Sequence, residues 1–214
     1  MNPVKIDPVW MMNIQKPARY IGGEWNSVVK DHDSVDVIVA LACPDVYEVA
    51  MSHLGLKIIY SVLNARDDTL AERVYAPWVD MEALMREKHI PLYTLESQCP
   101  VKDFDVLGFT MPFEMCYTNI LNMLDLSGIP LLARDRSDED PIVVSGGPCV
   151  YNAEPVADFF DVFFIGESEE AIGEMADIVK AWKKEGKPGG RKEIIRRMAS
   201  IRGCYAPSLY KVSY

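Results

Sequence analysis

Three cysteines stand at positions where a folded sheet could bring them together. Cys43, Cys116 and Cys149 each follow an apolar segment, and thiolates that converge on one point could hold a soft metal or a corrinoid. Free cysteines are also common as small buried hydrophobic residues, so that alternative stays open. Three glutamates near the same segments could act as general acids or bases, or serve as helix-capping and solvated side chains: Glu48, Glu114 and Glu167.

Glycines end two further apolar segments. Residues 141–148 are PIVVSGGP and residues 161–170 are DVFFIGESEE, so Gly146, Gly147 and Gly166 each come directly after a short apolar stretch. Such a stretch indicates a strand buried on both faces, and glycine after it lets a ligand such as a nucleotide tail approach the backbone. We expect a valine at Gly147 to fill that groove while leaving the fold mostly intact.

Five apolar segments rich in β-branched residues predict the strands that position these residues. They predict strands at 35–42, 71–76, 105–111, 142–145 and 162–165. A helix follows each strand; the first runs from a capping Asp45 to Asn64, and the last is capped by Ser168. This alternation predicts an α/β fold, an open five-stranded parallel sheet covered by helices on both faces as a three-layer sandwich.

Segments at both ends of the chain lie outside this alternation. Residues 1–34 form an N-terminal arm whose tryptophans, Trp10 and Trp25, we expect to pack on the core of the main domain, residues 35–185. Residues 186–214 form a basic helix and the start of a linker, and 209–214 look like the beginning of another strand. No G-x-G-x-x-G or G-x-x-x-x-G-K-[ST] follows the first strand, which argues against a nicotinamide or P-loop enzyme.

Ligands of an open parallel sheet bind beyond the carboxyl ends of the strands, where the strand order reverses. The loops after strands one, three, four and five therefore define one candidate surface. Its predicted cofactor-binding residues are Cys43, Pro44, Tyr47, Glu48, Tyr117, Thr118, Asn119, Gly146, Gly147, Pro148, Gly166 and Glu167.

Composition limits the class of protein. The chain of 214 residues carries a net charge of −10, which disfavours nonspecific adhesion to nucleic acid by the molecule as a whole. Its five cysteines are odd in number and form no C-x-x-C, so we expect reduced thiols. We find no secretory leader and no apolar run of about 20 residues, the length that spans a bilayer. We therefore expect a cytoplasmic protein without membrane contact.

Charge is unevenly distributed. Residues 183–202 contain eight basic and two acidic side chains, a local charge of +6, so the remainder carries −16. A basic helix of this kind can dock on its own acidic domain or stay solvated. Alternatively, it can contact RNA or a partner protein.

Several motifs together resemble the N-terminal cobalamin-binding-like domain of a subgroup of radical S-adenosylmethionine (SAM) proteins. The resemblance spans residues 16–182. The motifs are 16–23 (KPARYIGG), 44–48 (PDVYE), 51–55 (MSHLG), 117–119 (YTN) with Asp125, 128–130 (GIP), 145–148 (SGGP), 152–155 (NAEP) and 166–169 (GESE). This resemblance implies a flavodoxin-like, Rossmann-type domain that precedes a radical SAM core and organises its cofactor or substrate.

Two departures from the family pattern bear on cofactors. Cobalamin domains that ligate cobalt through histidine use D-x-H-x-x-G, whereas Met51 stands in the Asp position and His53 is placed inside the first predicted helix. This argues against histidine ligation and leaves cobalamin binding without a protein ligand open. The sequence also has no C-x-x-x-C-x-x-C, so the [4Fe-4S] cluster and S-adenosylmethionine are implied only for a core outside this chain. An alternative function is a stand-alone flavodoxin-like module whose basic tail recruits RNA or protein.

Overall fold

A six-stranded, mostly parallel sheet organises the molecule. The computed structural model describes residues 1–211. The sheet order is β2-β1-β3-β4-β5-β6, with the first five strands parallel and β6 antiparallel to β5. The mixed α/β class is confirmed, but the number of five strands was wrong because a further pair of residues joins the edge. The strands are β1 Val37–Cys43, β2 Thr69–Tyr75, β3 Val106–Thr110, β4 Ile142–Gly146, β5 Val162–Phe164 and β6 Cys204–Tyr205.

Helices cover both faces of this sheet. Between β4 and β5 the chain forms two 3₁₀ segments, Pro148–Asn152 and Glu154–Phe159, in place of the helix that the alternation predicts. The α-helices are α1 Pro8–Met11, α2 Tyr47–Ala50, α3 Leu54–Asn64, α4 Val79–Lys88, α5 Tyr117–Leu126, α6 Glu169–Lys184 and α7 Gly190–Met198.

Two apolar cores lie on opposite faces of the sheet because successive strand residues point to opposite sides. From β1, Val39 and Leu41 pack in the core that includes α3, α6 and α7, and Ala40 and Ala42 pack in the core that includes α4 and α5. All four residues are buried. Burial on both faces explains why β1 is an uninterrupted apolar run.

The helix predicted from Asp45 to Asn64 is broken. Val46 occupies the N-cap position of the short α2, and α3 starts anew after His53, whose ring nitrogen Nδ1 accepts the backbone N–H of Leu56 at 3.2 Å. The prediction that His53 lies inside a helix was therefore wrong. It is the N-cap of α3.

The outer edge of β2 is saturated by side chains. Asn64 exchanges two 3.0 Å hydrogen bonds with the backbone of Ala71, and Glu96 accepts the N–H of Arg73 at 2.7 Å. Lys30 donates to the carbonyl of Thr69 at 2.6 Å. These contacts occupy groups that an exposed edge strand would otherwise offer to another strand.

The N-terminal arm is tied to the body by ion pairs. Lys16 and Arg19 both donate to Glu48, at 2.8 and 2.9 Å. Trp10 packs against the core, as expected, but Trp25 is 93% exposed. The prediction for Trp25 was therefore wrong, since the arm is held by polar contacts of its neighbour Glu24 with Tyr47 and Arg73.

The C-terminal basic helix α7 is anchored through a buried carboxylate. Asp161, just before β5, accepts hydrogen bonds from Arg136 and Arg191, and also from the N–H of Val143 at 2.8 Å. All three charged side chains are at least 90% buried.

Two further sequence predictions concern chain segments as a whole. Pro207–Leu209 is a 3₁₀ turn, and the rest of the strand expected over 209–214 lies largely outside the described residues. Within residues 1–211, the helices are too short or too polar to cross a bilayer.

Candidate ligand-binding site

A cavity of about 250 Å³ opens at the carboxyl ends of the parallel strands, between α3 and α6. It lies where the strand order reverses, because the chain passes from β1 outward to β2 and then crosses to β3 on the other side of β1. This is the position where open α/β sheets bind ligands. The lining combines the sheet residues Leu41, Gly108, Phe109, Thr110, Val144, Ser145, Gly146 and Phe164 with residues of helices and loops, namely His53, Gly55, Leu56, Ile58, Ile59, Gly147, Pro148, Gly166, Glu167, Ser168, Glu169 and Ile172. We call this space the rim cavity.

Glycines form the floor of the rim cavity. A Cβ on Gly108 would meet side chains of Val144 and Leu41 at 3.5 and 3.6 Å, and one on Gly146 would meet Ser168 Oγ at 3.5 Å. These are ordinary contact distances, so a side chain would fit the fold but would take up cavity space. Because Gly108 and Gly146 have no side chains, a ligand can approach the sheet backbone directly.

Gly147 has a different role. Its φ is +111°, and an added Cβ would lie 3.0 Å from the carbonyl oxygen of Met111. The backbone itself requires glycine here. The expectation that valine at this position would leave the fold intact was therefore wrong.

His53 and Ser168 line the cavity at the N-termini of α3 and α6. His53 caps α3 through Nδ1, and Gly55 leaves room for its ring, since a Cβ there would lie 3.3 Å from His53 Cε1. Ser168 precedes α6 but makes no capping hydrogen bond with its side chain. Ser168 occupies the predicted N-cap position, but its side chain does not cap the helix, since its backbone angles are helical (φ −100°, ψ −5°) instead of extended. Its hydroxyl is thereby left facing Gly146.

The structure brings part of the predicted site together. Gly146, Gly147, Pro148, Gly166 and Glu167 line the rim cavity, whereas the other predicted residues lie outside its lining. Whether any of the predicted residues binds a cofactor stays a prediction. The lining residues that the sequence did not single out include Gly108, whose place inside an apolar strand is a signal of close backbone approach.

The predicted residues outside the cavity make structural contacts. Tyr47 donates to Glu24, Glu48 pairs with the arm, and Asn119 Nδ2 donates to the carbonyl of Pro44 at 2.9 Å, which joins the loops after β1 and β3. Tyr117 is half-buried and Thr118 is exposed. The three glutamates considered for proton transfer, Glu48, Glu114 and Glu167, are all exposed.

Cys43, Cys116 and Cys149 are all buried. Burial raises the pKa of Cys43 to about 12 and that of Cys116 to about 11, so both are neutral thiols at pH 7. Within residues 1–211 there is no grouping of three Cys, His, Asp or Glu side chains that could hold a metal ion. This favours the buried-hydrophobe alternative.

Three basic side chains of the segment 183–202 pair with acidic side chains outside it. Lys183 lies 2.6 Å from Asp105, Lys184 lies 3.2 Å from Asp36, and Arg191 pairs with Asp161. Arg196 and Arg197 pair with Glu185 and Glu193, the two acidic residues of the segment itself. This favours docking on the acidic body, and contact of this segment with RNA or protein stays a prediction.

Comparison with known proteins identifies the family. A family model described as radical SAM proteins, N-terminal, matches residues 55–207, which is most of the chain. The chain therefore belongs to this family and represents the N-terminal region of a radical SAM protein.

An uncharacterized protein of Methanocaldococcus jannaschii is 36% identical over 86 residues, which is 39% of this chain and 18% of that relative. The match thus spans less than a fifth of the relative's length. No solved structure matches the chain.

Proposed function

We propose that this chain is a cofactor-binding domain that serves a radical SAM core, and that its ligand is cobalamin held by its nucleotide tail in the rim cavity. The observation that carries the proposal is the glycine floor formed by Gly108 and Gly146, open at the switch point of the sheet. Strand order supports it as well. The first five strands have the order 2-1-3-4-5, which is that of flavodoxin-like folds.

The residues of the rim cavity fit such a tail. A flat heteroaromatic ring needs apolar walls and close access to backbone, and Leu56, Ile59, Phe164 and Ile172 supply those walls. When bound, a corrinoid supplies methyl-transfer or radical chemistry at its cobalt. This chain's own part is to bind and orient the ligand and to exclude water from the cavity.

The chemistry of the core is proposed to lie outside this chain. Three thiolates of a radical SAM cluster come from C-x-x-x-C-x-x-C, which the sequence lacks. We therefore assign the [4Fe-4S] cluster and S-adenosylmethionine to a core domain that is this domain's partner. A cytoplasmic location is part of the proposal, supported by five cysteines that form no disulfide.

Ligand titration tests the proposal. Hydroxocobalamin at about 100 times its Kd is expected to stabilise the native state by about 2.7 kcal/mol and to change the corrinoid absorbance, whereas S-adenosylmethionine alone gives no shift. Gly146→Val should abolish the response by filling the cavity. Gly173→Ala on α6, where a Cβ meets only Arg66 Nη1 at 3.9 Å, is the matched control that should keep it. An unchanged melting midpoint and spectrum with millimolar hydroxocobalamin would rule out cobalamin.

A further inference from the structure

His53 lines the rim cavity, and a backbone hydrogen bond determines how its ring can act as a donor or acceptor. It lies at the start of α3, between the apolar wall residues Leu56 and Ile59 of the same helix and the loop that leads from α2. The ring is partly exposed. A ligand that enters the cavity therefore passes close to this imidazole.

The helix cap determines which ring nitrogen carries the proton. Leu56 N–H donates to Nδ1 at 3.2 Å, so Nδ1 acts as an acceptor and bears no hydrogen. In a neutral imidazole the proton then lies on Nε2. Within residues 1–211, Nε2 has no hydrogen-bond partner among the contacts of His53. An N–H donor is thus available at the cavity.

A protonated nitrogen cannot ligate a metal, because ligation uses the same lone pair. It can donate to an acceptor that lies in the plane of an aromatic ring. The hydroxyl of Ser168, which lies near Gly146, can act there as a hydrogen-bond donor or acceptor.

We infer that His53 is a specificity-determining residue that recognises an in-plane acceptor nitrogen of the heteroaromatic ring in the rim cavity, and that it is not a metal ligand. This inference rests on the proposed cofactor-binding function. Gly55 supports the arrangement, because a side chain there would press on the ring at 3.3 Å.

Two isosteric probes test it. 1-Methylbenzimidazole and 1-methylindole have the same shape, but only the former has an in-plane acceptor nitrogen. In an NMR titration of the full chain we expect the wild type to bind 1-methylbenzimidazole about tenfold more tightly, the effect of one hydrogen bond. His53→Ser retains an N-cap residue and should bring the affinity ratio to about one, while the neighbouring Ser52→Ala should keep it.

The possible outcomes separate the two proposals. Equal binding of both probes by the wild type, or an unchanged ratio in His53→Ser, would overturn the role of His53 and leave the cavity as a ligand site. No binding of either probe would overturn both proposals. A ligand-free readout is the ¹⁵N spectrum of the His53 ring, which should show the Nε2–H form; an Nδ1–H form would contradict the inference.

Discussion

Gly147 and Met111 are in backbone contact at the carboxyl end of the sheet. Met111 N donates to the carbonyl of Gly146 at 2.8 Å, and Met111 O accepts the N–H of Cys149 at 3.1 Å. A Cβ on Gly147 would lie 3.0 Å from that same oxygen. The loop after β4 is therefore clamped to the loop after β3, and the floor of the rim cavity depends on this contact.

Replacing Gly147 should destabilise the fold, in contrast to its neighbour. Gly147→Ala forces a side chain onto a backbone at φ +111°, which costs on the order of 1–3 kcal/mol. Gly146→Ala should leave stability within about 0.5 kcal/mol, because its Cβ meets only Ser168 Oγ at 3.5 Å. Urea denaturation of both variants measures the difference. Equal midpoints would show that the loop clamp is not as described.

Breaking the buried charge network should be costly. Asp161→Asn would leave Arg136 and Arg191 without their common carboxylate at positions at least 90% buried. Loss of one partner of a buried pair costs about 3–5 kcal/mol, and chemical denaturation measures it. Glu185→Gln, which removes an exposed partner of Arg197, is the control and should change nothing measurable. A mild effect of Asp161→Asn would mean that α7 is held by its apolar face instead.

Acid should weaken the contact of the N-terminal arm with Glu48. Hydrogen bonds from Arg19 and Lys16 lower the pKa of Glu48 from 4.5 to about 2. The contribution of Glu48 is therefore fully present above about pH 4.5 and is lost as the pH falls toward 2. The indole N–H resonance of Trp78, over which Arg19 lies at 5.6 Å, should move in this window.

Glu48→Gln is the control for this titration. The variant lacks the carboxylate, so the Trp78 signal should show no step of its own between pH 4.5 and 2. The same step in the variant would assign it to another carboxyl group.

The thiols should be unreactive in the native state. Burial raises the pKa values of Cys43 and Cys204 to about 12 and that of Cys116 to about 11, and the thiolate is the reactive form. At pH 8 we expect the native protein to react with Ellman's reagent at least about tenfold more slowly than free cysteine, and five thiols to appear after unfolding. Fast reaction of three native thiols would contradict this expectation and favour the hypothesis that Cys43, Cys116 and Cys149 bind a soft metal.

Strand positions could be predicted from the sequence because each central strand is an apolar run bounded by turn residues. The strand Cys204–Tyr205 could not, because two residues show no alternation. The break before α3 was missed for a different reason. Apolar periodicity continues on both sides of it, and histidine is not among the residues that favour an N-cap.

Only the glycines at the carboxyl ends of the strands could be predicted as part of the candidate site. Gly146, Gly147 and Gly166 are visible as glycines that follow apolar strands. The apolar wall that includes Ile59 and Ile172 depends on how α3 packs beside α6, and these two helices are more than 100 residues apart in the sequence. No local pattern encodes such a distance.

The outer edge of β2, whose backbone groups are hydrogen-bonded to side chains, limits how this domain can associate with other chains. Because Asn64, Glu96 and Lys30 are hydrogen-bonded to the backbone of this edge, another strand cannot pair with it in strand exchange or fibre growth. A companion domain that approaches from this side must be recognised through side chains.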